Sequence, residues 1–202
     1  MQKNQNDVAK FLFCLSDLEW KAFLLYQGLS EKSQSRYVRS LLVYIAYSSL
    51  KDSVILQDIS KTISARKRDQ FRIKDKDYER ILGEVWKKVR DLSNAVSKTE
   101  KIDDKTLASL DDRLGSIYTI ISVQLKTLQF LGKEISKIYN VSLEDLQEIF
   151  ELVYRDEQDT TEILVKIRDS CTPKIPTSQN PEVKYQAPDN WHKEPASQSI
   201  TF

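Results

Sequence analysis

Histidine, glycine, proline and cysteine are all scarce in this chain, and each scarcity removes a class of explanation. The 202 residues include one histidine, four glycines, five prolines and two cysteines. The histidine is His192, close to the carboxyl end, so a histidine-dependent triad, a histidine-rich metal site or a di-iron Glu-x-x-His bundle has no such side chain to use in the body. Glycine is too sparse to form a phosphate-cradling loop of the Walker or dinucleotide type. Cys14 and Cys171 lie far apart, and neither has a second ligand at zinc spacing.

Long apolar runs are missing too. Phe11–Leu15 and Leu41–Ala46 are the longest, well short of the roughly 18 residues that cross a bilayer, so no membrane partner is expected. The opening residues lack the basic-then-apolar order of a secretion signal, which with the isolated cysteines predicts reduced thiols and a cytoplasmic setting. Lys and Arg number 31 against 30 Asp and Glu, so no bulk charge draws the chain to nucleic acid or anionic lipid. Any charge argument is therefore local.

What is present is helical periodicity. Proline removes an amide donor and breaks helix interiors, and Pro173, Pro176, Pro181, Pro188 and Pro195 all follow Cys171. The chain thus divides into a helical body, residues 1–171, and a Pro-containing flexible tail, residues 172–202, expected to be disordered alone. The fold class predicted is all-α: a helical bundle with a long antiparallel helical hairpin within residues 77–139.

The local pattern predicts a first helix through Val8, Phe11, Leu12 and Leu15. Ser16 and Glu19 have capping-box spacing and predict a fresh start, with Gly28 closing that second helix. Ser30 would cap a segment whose broad apolar surface, from Tyr37 through Leu41 and Ile45 to Tyr47, suggests a central helix. Val54–Ile63 fits a short helix or a short strand. Tyr78 to Lys98 reads as one helix, joined by Thr99–Asp103 to a long helix over 104–139. Helices are also expected from Ser142 through Val153 and around Thr161–Asp169.

The strongest single pattern is a seam on that long helix. Leu107, Leu110, Leu114, Ile117, Ile121, Gln124, Leu128, Leu131, Ile135 and Ile138 alternate at spacings of three and four, with Gln124 the one polar member. It could pair two copies, or serve as a bundle spine. Tyr118, Ile120, Val123, Leu125 and Phe130 widen the stripe beyond one partner helix, which favours the spine with a projecting end that self-associates.

Three functional expectations follow. The first is a non-catalytic helical adaptor or assembly protein, with a protein partner or homo-oligomer engaged through the heptad hairpin and through tail aromatics such as Tyr185, Trp191 and Phe202. The alternative is a nucleic-acid-binding accessory protein using Lys61, Arg66, Lys67, Arg68, Arg72, Lys74 and Lys76, a cluster that could hold phosphates. The same cluster could instead face the acidic stretch 144–162. The short series Gly28-Leu29-Ser30, Tyr37, Leu41-Leu42 and Leu56-Gln57-Asp58-Ile59 is similar to the DNA-clamping core-binding module of tyrosine recombinases, but the family's Arg, His and Tyr set does not follow it.

The third expectation is magnesium-dependent carboxylate chemistry on Glu144, Glu148 and Glu151, as in all-helical nucleotide pyrophosphohydrolases. Leu146, Ile149, Phe150 and Val153 occupy the opposite side of that helix, so these glutamates are expected to face solvent. No catalytic residue, metal site or cofactor is therefore assigned. If the tail is a spacer or docking segment, deleting Thr172–Phe202 should leave the thermal melt nearly unchanged. A large fall in melting temperature would make it a strap on its own body.

Overall fold

The computed structural model describes residues 2–64, 73–115 and 143–172, with side chains from residue 7 in the first stretch and from residue 148 in the last. Met1–Thr172 forms one unit and Pro173–Phe202 a second, which lies outside the described residues. The architecture is an all-α helical bundle, and the described residues contain no strand. The helices are α1 (Gln2–Lys32), α2 (Arg36–Ile63), α3 (Asp75–Leu82), α4 (Glu84–Ser97), α5 (Asp104–Ala108) and α6 (Leu143–Cys171), with a π-helical turn at Asp111–Gly115.

Sequence reasoning divided α1 in two, and the structure does not. Leu12, Leu15, Leu18, Ala22, Leu25, Tyr26 and Leu29 extend one buried stripe through the supposed cap, so packing holds the helix together across Ser16 and Glu19. Both residues are buried in the helix interior. The cap that does form is at Ser35, whose Oγ accepts the Val38 amide at 3.3 Å and starts α2. Ser30 instead donates to the Gln27 carbonyl within α1. Val54–Ile63 is the last part of α2, neither a strand nor a separate helix. Likewise, the segments expected to end near Val153 and begin near Thr161 are one helix, α6.

α1 and α2 turn back on each other at residues 33–35 and form the frame of the bundle. Ser60 Oγ donates to the Ala9 carbonyl at 2.6 Å, tying the far end of α2 to the start of α1 and fixing an antiparallel register. Each fully buried leucine along this interface contributes about 1.5–3 kcal/mol. α4 lies along α1 in the same direction, with Trp86 beside Lys21 at one end and Val96 beside Gly28 at the other. α6 runs antiparallel to α2 and also covers α5 and the π-helical turn. There Arg168 Nη1 meets Asp111 Oδ2 at 2.5 Å.

The helix expected from Tyr78 to Lys98 is interrupted. Gly83 sits at φ 64°, ψ −140°, conformational space that side-chain-bearing residues avoid, and it separates α3 from α4. The break lets α3 lay Tyr78 flat on Trp86 with ring centroids 4.1 Å apart, while Lys21 lies 5.0 Å from the Trp86 centroid. Tyr78 also donates to Asp17 of α1. Gly83→Ala is expected to lose roughly 1–3 kcal/mol in denaturant unfolding. Gly28→Ala, in a helix interior where an added Cβ meets Val96 at an ordinary 3.5 Å, should be neutral or stabilising. Equal costs at the two positions would show that Gly83's backbone is not the constraint.

Candidate functional site

Two features of the body call for more than a packing explanation: a buried cluster of carboxyl groups, and an aromatic surface on the outer side of α2. The cluster draws on three helices. Glu19 comes from α1, Asp52 from α2, and Asp156 and Glu157 from α6. Glu19 and Glu157 are 1 % and 2 % exposed, and Asp52 is 2 % exposed, so water cannot carry their charge.

Lys51 is the cation paired with this group, through Asp156. Ser49 faces Glu19, and the carboxyls of Glu19 and Glu157 face one another, as do those of Asp52 and Asp156. Two carboxylates are both acceptors, so such an approach becomes a hydrogen bond only when one keeps its proton. Burial raises Glu19 to about 7, offset in part by Ser49 and Glu157. Burial first, then repulsion from Glu19 and Asp156, pushes Asp52 to about 9. Glu157 is raised by burial and by the charges of Glu19 and Asp52.

Close carboxyls in a helical bundle invite comparison with metal-binding bundles. Among the described residues, however, no group of three or more His, Cys, Asp or Glu side chains is disposed to hold a metal ion. Glu19 Oε1 and Oε2, Asp52 Oδ1 and Glu157 Oε2 are buried without a hydrogen-bond partner, which suits carboxyls that keep their protons.

The second feature is on the surface. Trp20 and Leu24 of α1 and Tyr37, Val43, Tyr44, Tyr47 and Val54 of α2 are exposed, Tyr47 to 64 %. Phe23 bridges the two helices, its ring 5.3 Å from Trp20 and 6.4 Å from Tyr47. The breadth of apolar residues around Tyr37–Tyr47 suggests a central helix. Instead, α1 and α6 cover the side bearing Val38, Leu42 and Ile45, and the tyrosines are left outside. Monomer surfaces rarely group large aromatics in this way unless a partner covers them.

The sequence-predicted sites fare unevenly. Of the seam, Leu107, Leu110 and Leu114 are buried, with α5 and the π-helical turn packed on α6. Ile117, Ile121, Gln124, Leu128, Leu131, Ile135 and Ile138 lie outside the described residues, as do Arg66, Lys67, Arg68 and Arg72 and the tail aromatics Tyr185, Trp191 and Phe202. Lys61 lies in the last turn of α2 and is paired with Asp58 and Gln57, while Lys74 and Lys76 flank the start of α3 and are exposed. Glu148 and Glu151 face solvent as expected, and the side chain of Glu144 is outside the described residues. Cys14 and Cys171 are free thiols. Among the described residues no helix is long and apolar enough to cross a membrane.

Sequence reasoning missed the carboxyl cluster altogether. Its one signal was Glu19 lying on the same face as Leu12, Leu15 and Ala22, where a capping role explained the glutamate too readily.

The cluster carries a pH dependence whose sign is fixed. Glu19, Asp52 and Glu157 hold protons in the fold above the ordinary range near 4 that they regain on unfolding, so their contribution is full below about pH 4 and declines as pH rises through 7 to 9. Each such group costs about 1.4 kcal/mol per pH unit over its interval. In denaturant unfolding between pH 5 and 9, Asp52→Asn is expected to flatten the decline and exceed the wild type at pH 9. An unchanged slope would exclude a protonated Asp52.

Searches against protein-family models, curated proteins and solved structures gave no match to this chain, so the short recombinase-like series carries no argument.

Proposed function

We propose that this chain is a non-catalytic helical adaptor or assembly protein, acting through protein–protein contacts. The observation that carries the reading is the aromatic surface formed by Trp20, Leu24, Tyr37, Tyr44 and Tyr47. Tryptophan and tyrosine bury large area for little rotamer entropy, which is why they dominate the energetic centres of protein interfaces. Here they project from α1 and α2, the two long helices that frame the bundle, so the surface is rigid before any partner arrives. The heptad pattern beyond Leu114 and the tail aromatics, as features of the sequence, favour the same reading.

Catalysis has less to stand on. The buried carboxyls are enclosed and disposed to share protons, and the exposed glutamates of α6 point away from them into solvent.

The test uses the full-length chain, tagged, in the cells that make it. It should elute in size exclusion well above its own mass, in a complex that survives nuclease and high salt. Tyr44→Ser with Tyr47→Ser should return it to a smaller species with only a small fall in melting temperature, since Tyr47 also touches Phe23. Collapse of the complex on nuclease treatment, with salt-sensitive oligonucleotide binding lost on charge reversal at Arg66, Lys67, Arg68 and Arg72, would replace this reading with the nucleic-acid one.

A further inference from the structure

α2 carries two heptad seams on opposite sides, and its own chain fills one of them. Val38, Leu42, Ile45, Ser49, Asp52, Leu56, Ile59 and Ile63 alternate at spacings of four and three and are buried. On the other side Tyr37, Ser40, Tyr44, Tyr47, Lys51, Val54, Asp58 and Lys61 alternate at three and four. Tyr37, Tyr44, Tyr47 and Val54 are each more than half exposed, and Ser40 is exposed. A three-and-four alternation is what keeps a residue row facing one partner helix along its length. The outer row spans about 36 Å at 1.5 Å per residue, long enough for a stable helix pair.

We infer that the outer seam of α2 pairs with the same seam of a second copy of this chain, antiparallel, about a two-fold axis near residue 49. The inference rests on the reading of this face as a protein-contact surface. Charge selects both occupant and direction. In an antiparallel pair the two seam positions of each heptad face one another across the axis, so Tyr37 meets Lys61 of the other copy, Ser40 meets Asp58, Tyr44 meets Val54 and Tyr47 meets Lys51. No layer sets like charges together: the stems of Lys61 and Lys51, whose ammonium groups are paired with Asp58 and with Asp156, pack on tyrosine rings, a serine lies opposite a carboxylate, and a ring packs on a valine. A parallel pair would set Lys51, Asp58 and Lys61 each against its own copy, three layers of like charge that the intrachain Lys51–Asp156 and Lys61–Asp58 pairs offset only in part.

The neighbouring surfaces suit the arrangement. Lys51 is anchored at its tip by Asp156 of α6 while its side chain stays 52 % exposed, so its stem remains open to the seam. Trp20 and Leu24 extend the apolar surface on the α1 side. Because a two-fold contact is isologous, each favourable layer occurs twice.

The test uses the purified full-length chain. Light scattering from micromolar to near-millimolar concentration is expected to report a dimer. Tyr44→Glu should raise its dissociation constant at least tenfold, with helical content and monomer melting unchanged because the residue is exposed. Direction is read by cross-linking in a Cys171→Ser background, where Cys14 stays silent because it is buried and its thiol is pushed up to about 12. Mixed chains bearing Tyr44→Cys and Val54→Cys should form the mixed disulfide faster than either forms its own. A chain that is monomeric throughout, a dimer indifferent to Tyr44→Glu, or preferential Tyr44→Cys homodisulfides would each overturn the inference. A monomer in solution would leave the assembly reading intact if the nuclease-resistant cellular complex still depends on Tyr44 and Tyr47.

Discussion

The antiparallel packing of α1 on α2 is the constraint on which the rest of the body depends. Both helices are long, and isolated helices gain little from propensity, so their stability comes from the shared buried stripe. Once Ser60 is set against Ala9 and Leu12 through Leu29 lie against Val38 through Ile63, the other elements have fixed places. α4 follows the free edge of α1, and α6 follows the edge of α2. The positions of Glu19 and Asp52 are consequences of the same register, as is the outward turn of Tyr44 and Tyr47.

Much of this was legible in the sequence, and the failures have a common cause. The apolar stripe of α1, the proline-free body and the all-helical class follow from periodicity and from proline chemistry, both local properties. The division of α1 at Ser16 failed because Ser-x-x-Glu has the same spacing whether it caps a helix or sits inside one. Glu19 is enclosed by α2 and α6 together, and Glu157 lies far along the chain. The tyrosines of α2 failed in the reverse sense, since a tyrosine seam on a covered helix and on a bare one has the same spacing. Gly83 ended a helix in mid-pattern because its backbone conformation outweighed a continuous apolar stripe from Leu82 to Val89.

The two notable features of the body answer one another. A bundle that buries three carboxyls with raised affinity for protons has given up stability inside, where leucine would have served better. The outer side of α2 gives up solubility in the same way, by presenting tyrosine and valine where lysine and glutamate are usual. Neither departure improves the isolated fold. Side chains that cost the fold something are where a function has to be sought, and here α2 contributes to both, Asp52 to the buried cluster and Tyr44 and Tyr47 to the outer surface.

The carboxyl cluster also changes how heat is exchanged when the body opens. At neutral pH, the proton held on Asp52, whose carboxyl is pushed up to about 9, is released as that group meets water, and the buffer takes it up. The enthalpy recorded by a calorimeter then includes the protonation heat of that buffer, large for an amine and small for phosphate. One fold would thus show two unfolding enthalpies in two buffers of the same pH, and their difference would count the protons stored between α1, α2 and α6.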